Sequence, residues 1–341
     1  MKAVGLTHYL PIDDPASLLD LNVAPPGEPG GSDLRVRVHA ISVNPVDTKQ
    51  RAPRAQVENP PRILGYDAAG VVEAVGPEVT AFAPGDEVYY AGDVTRPGCN
   101  AQWQWVDERL VGRKPATLDF ADAAALPLTA LTAWELLFQR MPLQFDDRRH
   151  VGQVLLIIGG AGGVGSIAIQ LARHAGFRVV ATASREASMQ WCRQMGADAV
   201  IDHRQPLPAQ LRALGIEQVH AALNLADTDH YWDVLGELLA PQGHVGLIVE
   251  PRGPLRIGDP YKAKCIGIHW EFMFARARFR TADRIEQHRI LGRVGSLVDA
   301  GALRTTRSAH LGAINAANLR QAHRQLESGS VIGKLVLSGW D

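Results

Sequence analysis

Short apolar runs broken by glycine and proline fill the first third of the chain. Leu34–Ser42, Ala68–Val75, Asp86–Ala91 and Ala101–Val106 read as strands, and Met1–Leu6 reads as another, which is the texture of a compact, irregular β domain. The turns Val75-Gly76-Pro77 and Ala83-Pro84-Gly85-Asp86 mark chain reversals. From Asp119 the spacing becomes helical over Ala121–Leu126 and Thr129–Gln139, with Pro127 between them. A regular alternation follows: strand Gln153–Ile158, glycine loop, helix Val164–His174, strand Arg178–Ala183, helix Glu186–Met195 and strand Ala199–Asp202. Nearly continuous apolar strands separated by helices predict a parallel sheet covered on both faces. Val219–Leu223, Val245–Val249 and Lys264–Trp270 extend the strand set, with a helix over Thr228–Leu239 and an exposed Pro/Gly-rich loop at Pro251–Pro260. After Phe272 the pattern is helical until a last strand, Lys334–Leu337, and the tail is expected to return to the first domain.

Length supports this division, because 341 residues exceed what one core ordinarily holds. The expected parts are 1–122, 123–271 and 272–341 of an α/β protein. With 35 basic and 36 acidic residues and a net charge of -1, no basic face advertises nucleic acid. No apolar run reaches the roughly 18 to 20 residues that span a bilayer, and the N-terminus lacks a signal peptide's apolar core, so a cytoplasmic protein without a membrane partner is expected. Cys99, Cys192 and Cys265 lie too far apart for a CxxC clip and read as free thiols.

The chemistry concentrates in Leu155-Leu156-Ile157-Ile158-Gly159-Gly160-Ala161-Gly162-Gly163-Val164-Gly165. Gly160, Gly162 and Gly165 form GxGxxG between a predicted strand and a predicted helix, the arrangement that seats a dinucleotide pyrophosphate on a helix N-terminus. The next strand ends Ala181-Thr182-Ala183-Ser184-Arg185 without the carboxylate that NAD sites use for the ribose hydroxyls. Arg185 and Ser184 suit a 2′-phosphate instead, so NADPH is the expected cofactor, although Glu186 lies close by.

Together with these residues, Ile41-Ser42-Val43-Asn44-Pro45-Val46-Asp47, Gly65-Tyr66-Asp67-Ala68-Ala69-Gly70-Val71-Val72, Pro84-Gly85-Asp86-Glu87-Val88 and Ala125-Leu126-Pro127-Leu128-Thr129-Ala130-Leu131-Thr132-Ala133-Trp134 make the chain resemble the medium-chain dehydrogenase/reductase superfamily, in its quinone oxidoreductase branch. Val106–Pro115 and Ile268–Phe274 resemble a subgroup labelled zinc-type alcohol dehydrogenase-like. The resemblance implies a GroES-like irregular β domain plus a doubly wound Rossmann domain, with the cleft between them. It places Asn44, Tyr66 and Thr129 near the nicotinamide and Ile248 at the strand ends beneath it. It also assigns Ala161, Gly163, Val164 and Lys334 to the cofactor. Zinc members carry a cysteine, a Gly-His-Glu histidine and four clustered structural cysteines; here Asn44-Pro45-Val46-Asp47 and Gly65-Tyr66-Asp67 stand instead, so no metal is expected.

Without a metal, hydride transfer to quinones or α,β-unsaturated carbonyls is the simplest chemistry. Asn44 is expected to donate to the substrate oxygen. Tyr66 reads either as a partner of that oxygen or as a packed ring. Lys49 reads either as a proton donor or as a solvated charge, and Asp47 as a structural acceptor. The resemblance also implies a homodimer paired through the edge strand Lys264–Trp270. A 2-alkenal or enoyl reductase and a non-catalytic NADPH-binding protein are the alternatives.

Overall fold

The computed structural model describes residues 1–145 and 150–340. Its elements begin with strands β1 (Lys2–Tyr9), β2 (Leu19–Asn22) and β3 (Asp33–Ser42), followed by helix α1 (Pro45–Arg51). Strands β4 (Arg54–Ile63), β5 (Ala68–Val75), β6 (Glu87–Tyr90), β7 (Trp103–Asp107) and β8 (Val111–Arg113) come next, then helices α2 (Phe120–Ala124) and α3 (Pro127–Glu135). An alternating series follows as β9 (Val154–Ile158), α4 (Gly163–His174), β10 (Arg178–Thr182), α5 (Glu186–Gln194), β11 (Ala199–Ile201) and α6 (Leu207–Ala213). It continues through β12 (Val219–Asn224), α7 (Thr228–Leu238), β13 (Leu239–Leu247) and β14 (Gly267–Trp270). The tail adds α8 (Ala275–Arg278), α9 (Ile285–Asp299), β15 (Arg307–His310), α10 (Ala316–Glu327) and β16 (Lys334–Ser338).

Two compact units result: Met1–Leu131 with Phe274–Asp341, and Thr132–Met273. In the first, a small sheet runs β2-β1-β4, and a larger one runs β15-β16-β3-β5-β6-β8, with β7 pairing β3 as well. The tail belongs here because β16 pairs antiparallel with β3, and Leu319, Leu335 and Leu337 join Leu6, Val36 and Ile41 in one apolar core. The division falls inside α3 rather than at residue 122, since α2 packs on β3, β5 and β16 and stays with them. In the second unit all six strands are parallel, in the order β11-β10-β9-β12-β13-β14. Reversal of direction at β9 makes this the Rossmann order, and β9 is buried along its whole length as a central strand must be.

Several expectations need adjusting. The helix over Thr129–Gln139 is α only to Glu135, and Leu136–Arg140 winds as a π-helix. The stretch Phe120–Arg140 is long and apolar enough to span a membrane, contrary to the sequence estimate, but 83% of its apolar window is buried inside the protein as core. Strand β14 starts only at Gly267, after a turn that puts Cys265 at φ 52°. Helix α1 and strand β4 were not expected at all. Asn44 caps α1, Pro45 occupies its first turn, and the Asp47 carboxylate accepts the Asn44 N–H at 2.8 Å.

Helix α10 covers α1 through a buried polar contact. Arg51 Nε donates to His323 Nδ1 at 3.3 Å, and the Arg51 guanidinium also pairs with Glu327. Burial and the neighbouring guanidinium push the His323 imidazole down to about 3, so it is neutral in the fold. Its stabilising contribution is present above the ordinary histidine value of 6.5 and is lost as pH falls toward about 3. Melting curves should therefore show wild type losing about 2 to 3 kcal/mol relative to His323→Gln between pH 7.5 and about pH 4.5; parallel curves would exclude His323 from the acid response.

Candidate active site

The glycine loop leaves β9 at the carboxyl edge of the parallel sheet and runs directly into α4. Gly159 N–H donates to Thr182 Oγ1 at 3.1 Å and Gly160 N–H to Thr182 O at 3.2 Å, which pins the loop to β10. Two glycines are required by close approach. A Cβ on Gly160 would lie 2.7 Å from Ala181 Cβ, and one on Gly165 would lie 2.4 Å from Gly159 O. A Cβ on Gly162 would meet nothing nearer than 3.5 Å, which leaves that face open to a ligand. Gly162 caps α4 without a side chain, so the first-turn amides of Gly163, Val164 and Gly165 are available to an anion, with half-buried Ala161 beside them. The loop thus fits a dinucleotide pyrophosphate.

Beyond β10, Ser184 is half-buried and Arg185 is exposed at the start of α5. Arg204, which sequence reasoning missed, donates to Ser184 O at 2.8 Å and pairs with Asp202 at 2.7 Å. That pairing holds the Asp202 carboxyl down at about 2. The available signal was a second basic residue just past the third strand of the unit. Ile248 follows the last residue of β13 and is half-buried at the same carboxyl edge.

In the first unit the chain between β3 and β5 builds a buried polar cluster. The Asp67 carboxylate accepts four bonds: Leu128 N–H at 2.7 Å, Ser42 Oγ at 2.9 Å, Asn44 Nδ2 at 2.8 Å and Lys334 Nζ at 3.0 Å. Lys334 Nζ also donates to Val43 O at 2.8 Å and to Asn44 Oδ1. All three ammonium donors are therefore used within the protein, leaving none for a cofactor phosphate. Asn44 Nδ2 gives its second bond to Tyr66 O at 3.3 Å, so Asn44 positions the cluster and has no free N–H for a substrate.

Tyr66 is 1% exposed, and its ring meets Phe274 edge-on at 5.4 Å. The Tyr66 hydroxyl and Asp47 Oδ1 are both buried without a hydrogen bond of ordinary geometry, the Arg62 guanidinium lying near the first and the Gly65 N–H near the carboxyl of the second. Burial and then the Asp47 charge push the phenol above its ordinary value, while the Arg62 guanidinium opposes them. Burial pushes the Asp47 carboxyl up to about 7. Thr129, on the first unit's part of α3, is buried and donates to Leu126 O at 3.1 Å. Lys49 is exposed and outside the cluster, because two residues along a helix turn it about 200° from Asp47. The solvated-charge reading is the one this geometry supports.

The alcohol dehydrogenase GroES-like domain model matches residues 30–115, and a zinc-binding dehydrogenase model matches 195–337. A zinc-type alcohol dehydrogenase-like protein of Staphylococcus aureus is 42% identical over 338 residues, covering 99% of this chain and 100% of its own. The chain belongs to the medium-chain dehydrogenase/reductase superfamily. Among solved structures, a Rhizobium etli protein named for the zinc-dependent alcohol dehydrogenases is 49% identical with a TM-score of 0.93, covering 100% of this chain and 98% of its own. The quinone oxidoreductase of Coxiella burnetii is 27% identical with a TM-score of 0.77, covering 99% of both chains. As a member of this superfamily the protein is an oxidoreductase with a nicotinamide cofactor.

Zinc in the relatives' names has no matching donor set in this superfamily member. Asn44, Tyr66 and Asp67 offer an amide, a phenol and a carboxylate, with no thiolate or imidazole, and the carboxylate is already bound to the Lys334 ammonium. Among the described residues no three His, Cys, Asp or Glu side chains converge to hold a metal. Lys334→Met would strip the cation from a fully buried carboxylate and should cost about 3 to 5 kcal/mol in denaturant unfolding; a loss under about 1 kcal/mol would show that Asp67 does not depend on it.

Proposed function

We propose that the protein is an NADPH-dependent reductase that works without zinc and transfers hydride to quinones or similar electron-poor carbonyl compounds. The observation that carries this reading is the polar cluster itself: an ammonium–carboxylate pair stands where a metal-ligand set would be needed, and the buried Tyr66 hydroxyl makes no hydrogen bond of ordinary geometry within the protein. Acceptors that are already electron-poor need a hydrogen bond to the oxygen rather than a Lewis acid. When bound, NADPH supplies the hydride.

The chain's own residues divide the remaining work. Amides of Gly163, Val164 and Gly165 hold the pyrophosphate, while Arg185, Ser184 and Arg204 favour the 2′-phosphate through charge-assisted bonds. Tyr66 donates to the acceptor oxygen as negative charge develops there, and Asn44 and Lys334 hold the Tyr66–Asp67 segment in place. Among the described residues the outer edge of β14 has no partner strand, and Trp270 at its end is 46% exposed, which supports a homodimer formed by a second copy. A cytoplasmic location accompanies this reading.

The test follows reduced-nicotinamide absorbance with benzoquinone, phenanthrenequinone, a 2-alkenal and a simple aldehyde, with and without chelator. Quinone turnover that prefers NADPH and ignores chelator is expected; preference for the simple aldehyde, or loss on chelation, overturns the proposal. Preference for the alkenal selects the enoyl-type reaction, and NADPH binding without any turnover selects a non-catalytic protein. Arg185→Ala with Arg204→Ala should raise KM for NADPH about tenfold or more while leaving NADH unchanged, since one charge-assisted bond contributes about 1.5 kcal/mol or more.

A further inference from the structure

Along one edge of β3 the partner strand changes. β7 pairs with β3 from Asp33 to Arg37, and β16 takes over from Ala40 to Ser42. At the changeover Val38 N–H donates to Gln102 O at 2.9 Å, and Gly339 N–H donates to His39 O at 3.0 Å. Neither flanking strand continues across the gap, and a slot of about 500 Å³ opens there, with the start of α2 as its third wall. Small-molecule sites ordinarily hold about 300 to 1,000 Å³. The slot lies wholly within the first unit, and none of Asn44, Tyr66, Asp67 and Lys334 lines it.

Its lining is aromatic with a cationic end. In the β3–β7 register Arg37 stands directly opposite Trp103, which puts both side chains on one face of the sheet. Such pairs are about 5 Å apart at Cβ. The β3–β5 register slips between Val38 and Ala40, a bulge at His39 of the kind that re-aims a side chain. His39 stacks on Phe120 with ring centroids 4.5 Å apart, and the Trp340 indole is tied to the strand by donating to Val38 O at 3.3 Å. Burial, and then the Arg37 charge, hold the His39 imidazole below its ordinary value, so it stays neutral and Arg37 supplies the positive charge among the lining residues. Arg37 reaches Glu73 through Nε at 3.4 Å, which leaves the two Nη groups of a half-exposed side chain to a ligand. Trp103 Nε1 is buried without a hydrogen-bond partner. An indole N–H can only donate, and leaving it unpaired is costly.

We infer that this slot binds a small aromatic monocarboxylate, at a site separate from the one that serves hydride transfer. The carboxylate accepts from the Arg37 Nη groups and from the Trp103 N–H, the indole turning toward it as the ligand enters. The ring lies between Trp340 and the Phe120–His39 stack, where a flat π face gains more than a saturated ring. Exposed Asp119 also lines the slot and caps α2, its carboxylate accepting the Asp122 N–H at 2.6 Å. That fixed negative charge tolerates a single charge held by Arg37 and disfavours a dianion such as phosphate.

Benzoate is the probe. Calorimetric titration of the full chain should show saturable binding with Kd about 1 mM or tighter, as suits a ligand of this size. Isotope-labelled tryptophan supplies the local readout. Of the seven tryptophans, the one whose indole N–H resonance disappears in Trp103→Phe should shift most with benzoate. Arg37→Met should weaken benzoate about tenfold or more, the loss of one charge-assisted contact, and should leave quinone turnover at the wild-type rate. Cyclohexanecarboxylate and inorganic phosphate should each bind at least about fivefold more weakly than benzoate. No saturable binding of benzoate, binding that Arg37→Met leaves unchanged, or phosphate binding as tightly as benzoate overturns the proposal. Loss of quinone turnover in Arg37→Met overturns the separation of the two sites. Should Arg37→Met not fold, the Trp103 resonance carries the test in the wild-type chain, and its failure to shift overturns the assignment.

Discussion

The buried pair of Lys334 and Asp67 is the constraint on which the first unit depends. One ammonium from the last strand is tied to the end of β3 through Val43 O, to the cap of α1 through Asn44 and to the entry of β5 through Asp67. Asp67 extends the same network to Leu128 at the start of α3. Taking both ions out of water is costly, and the cost is offset only because every ammonium donor and both carboxylate oxygens are bonded. Such a centre resists gradual change: removing either ion leaves the other buried and unpaired. It also organises three strands and two helices around a fixed charge, a role that metal–ligand clusters fill in other proteins.

Much of this was legible in the sequence, and the reasons differ by element. The Rossmann unit was readable because β9 is apolar throughout, β10 and β12 are apolar over most of their length, and the glycine spacing fixes the loop between β9 and α4. Boundaries moved where local patterns compete: Leu136–Arg140 looks like a continuing α-helix but winds as a π-helix, and the residues before Gly267 form a turn rather than a strand. Helix α1 could have been found from Asn44-Pro45 followed by Asp47, a capped helix start that the β-like surroundings obscured. The site was harder. Asn44 and Tyr66 do lie together, but which hydrogen bonds they make depends on Lys334, nearly 300 residues away, and no spacing rule predicts that. Arg204 shares the fate of most long-range partners, since its nearness to Ser184 follows from the pairing of β10 with β11.

The unequal treatment of the two carboxyls illustrates how a protein assigns roles to identical chemistry. Asp47 and Asp67 are equally inaccessible, yet Asp67 accepts four hydrogen bonds of ordinary geometry and Asp47 accepts one, from the Asn44 N–H. Hydrogen-bond count, rather than burial alone, separates them. The same accounting distinguishes Asn44, whose amide is saturated, from Tyr66, whose hydroxyl is not.

The first unit is discontinuous, and this bears on how the protein is made. Its larger sheet is not complete until β15 and β16 exist, so during synthesis the β16 side of β3 waits without its partner while the whole parallel-sheet unit is being translated. The Asp67 carboxylate likewise has no counter-ion until Lys334 emerges near the end of the chain. The second unit, built from one continuous stretch, can close first. The N-terminal strands thus have the longest wait, and an unpaired edge on β3 is the place where a nascent chain of this design is most open to mispairing.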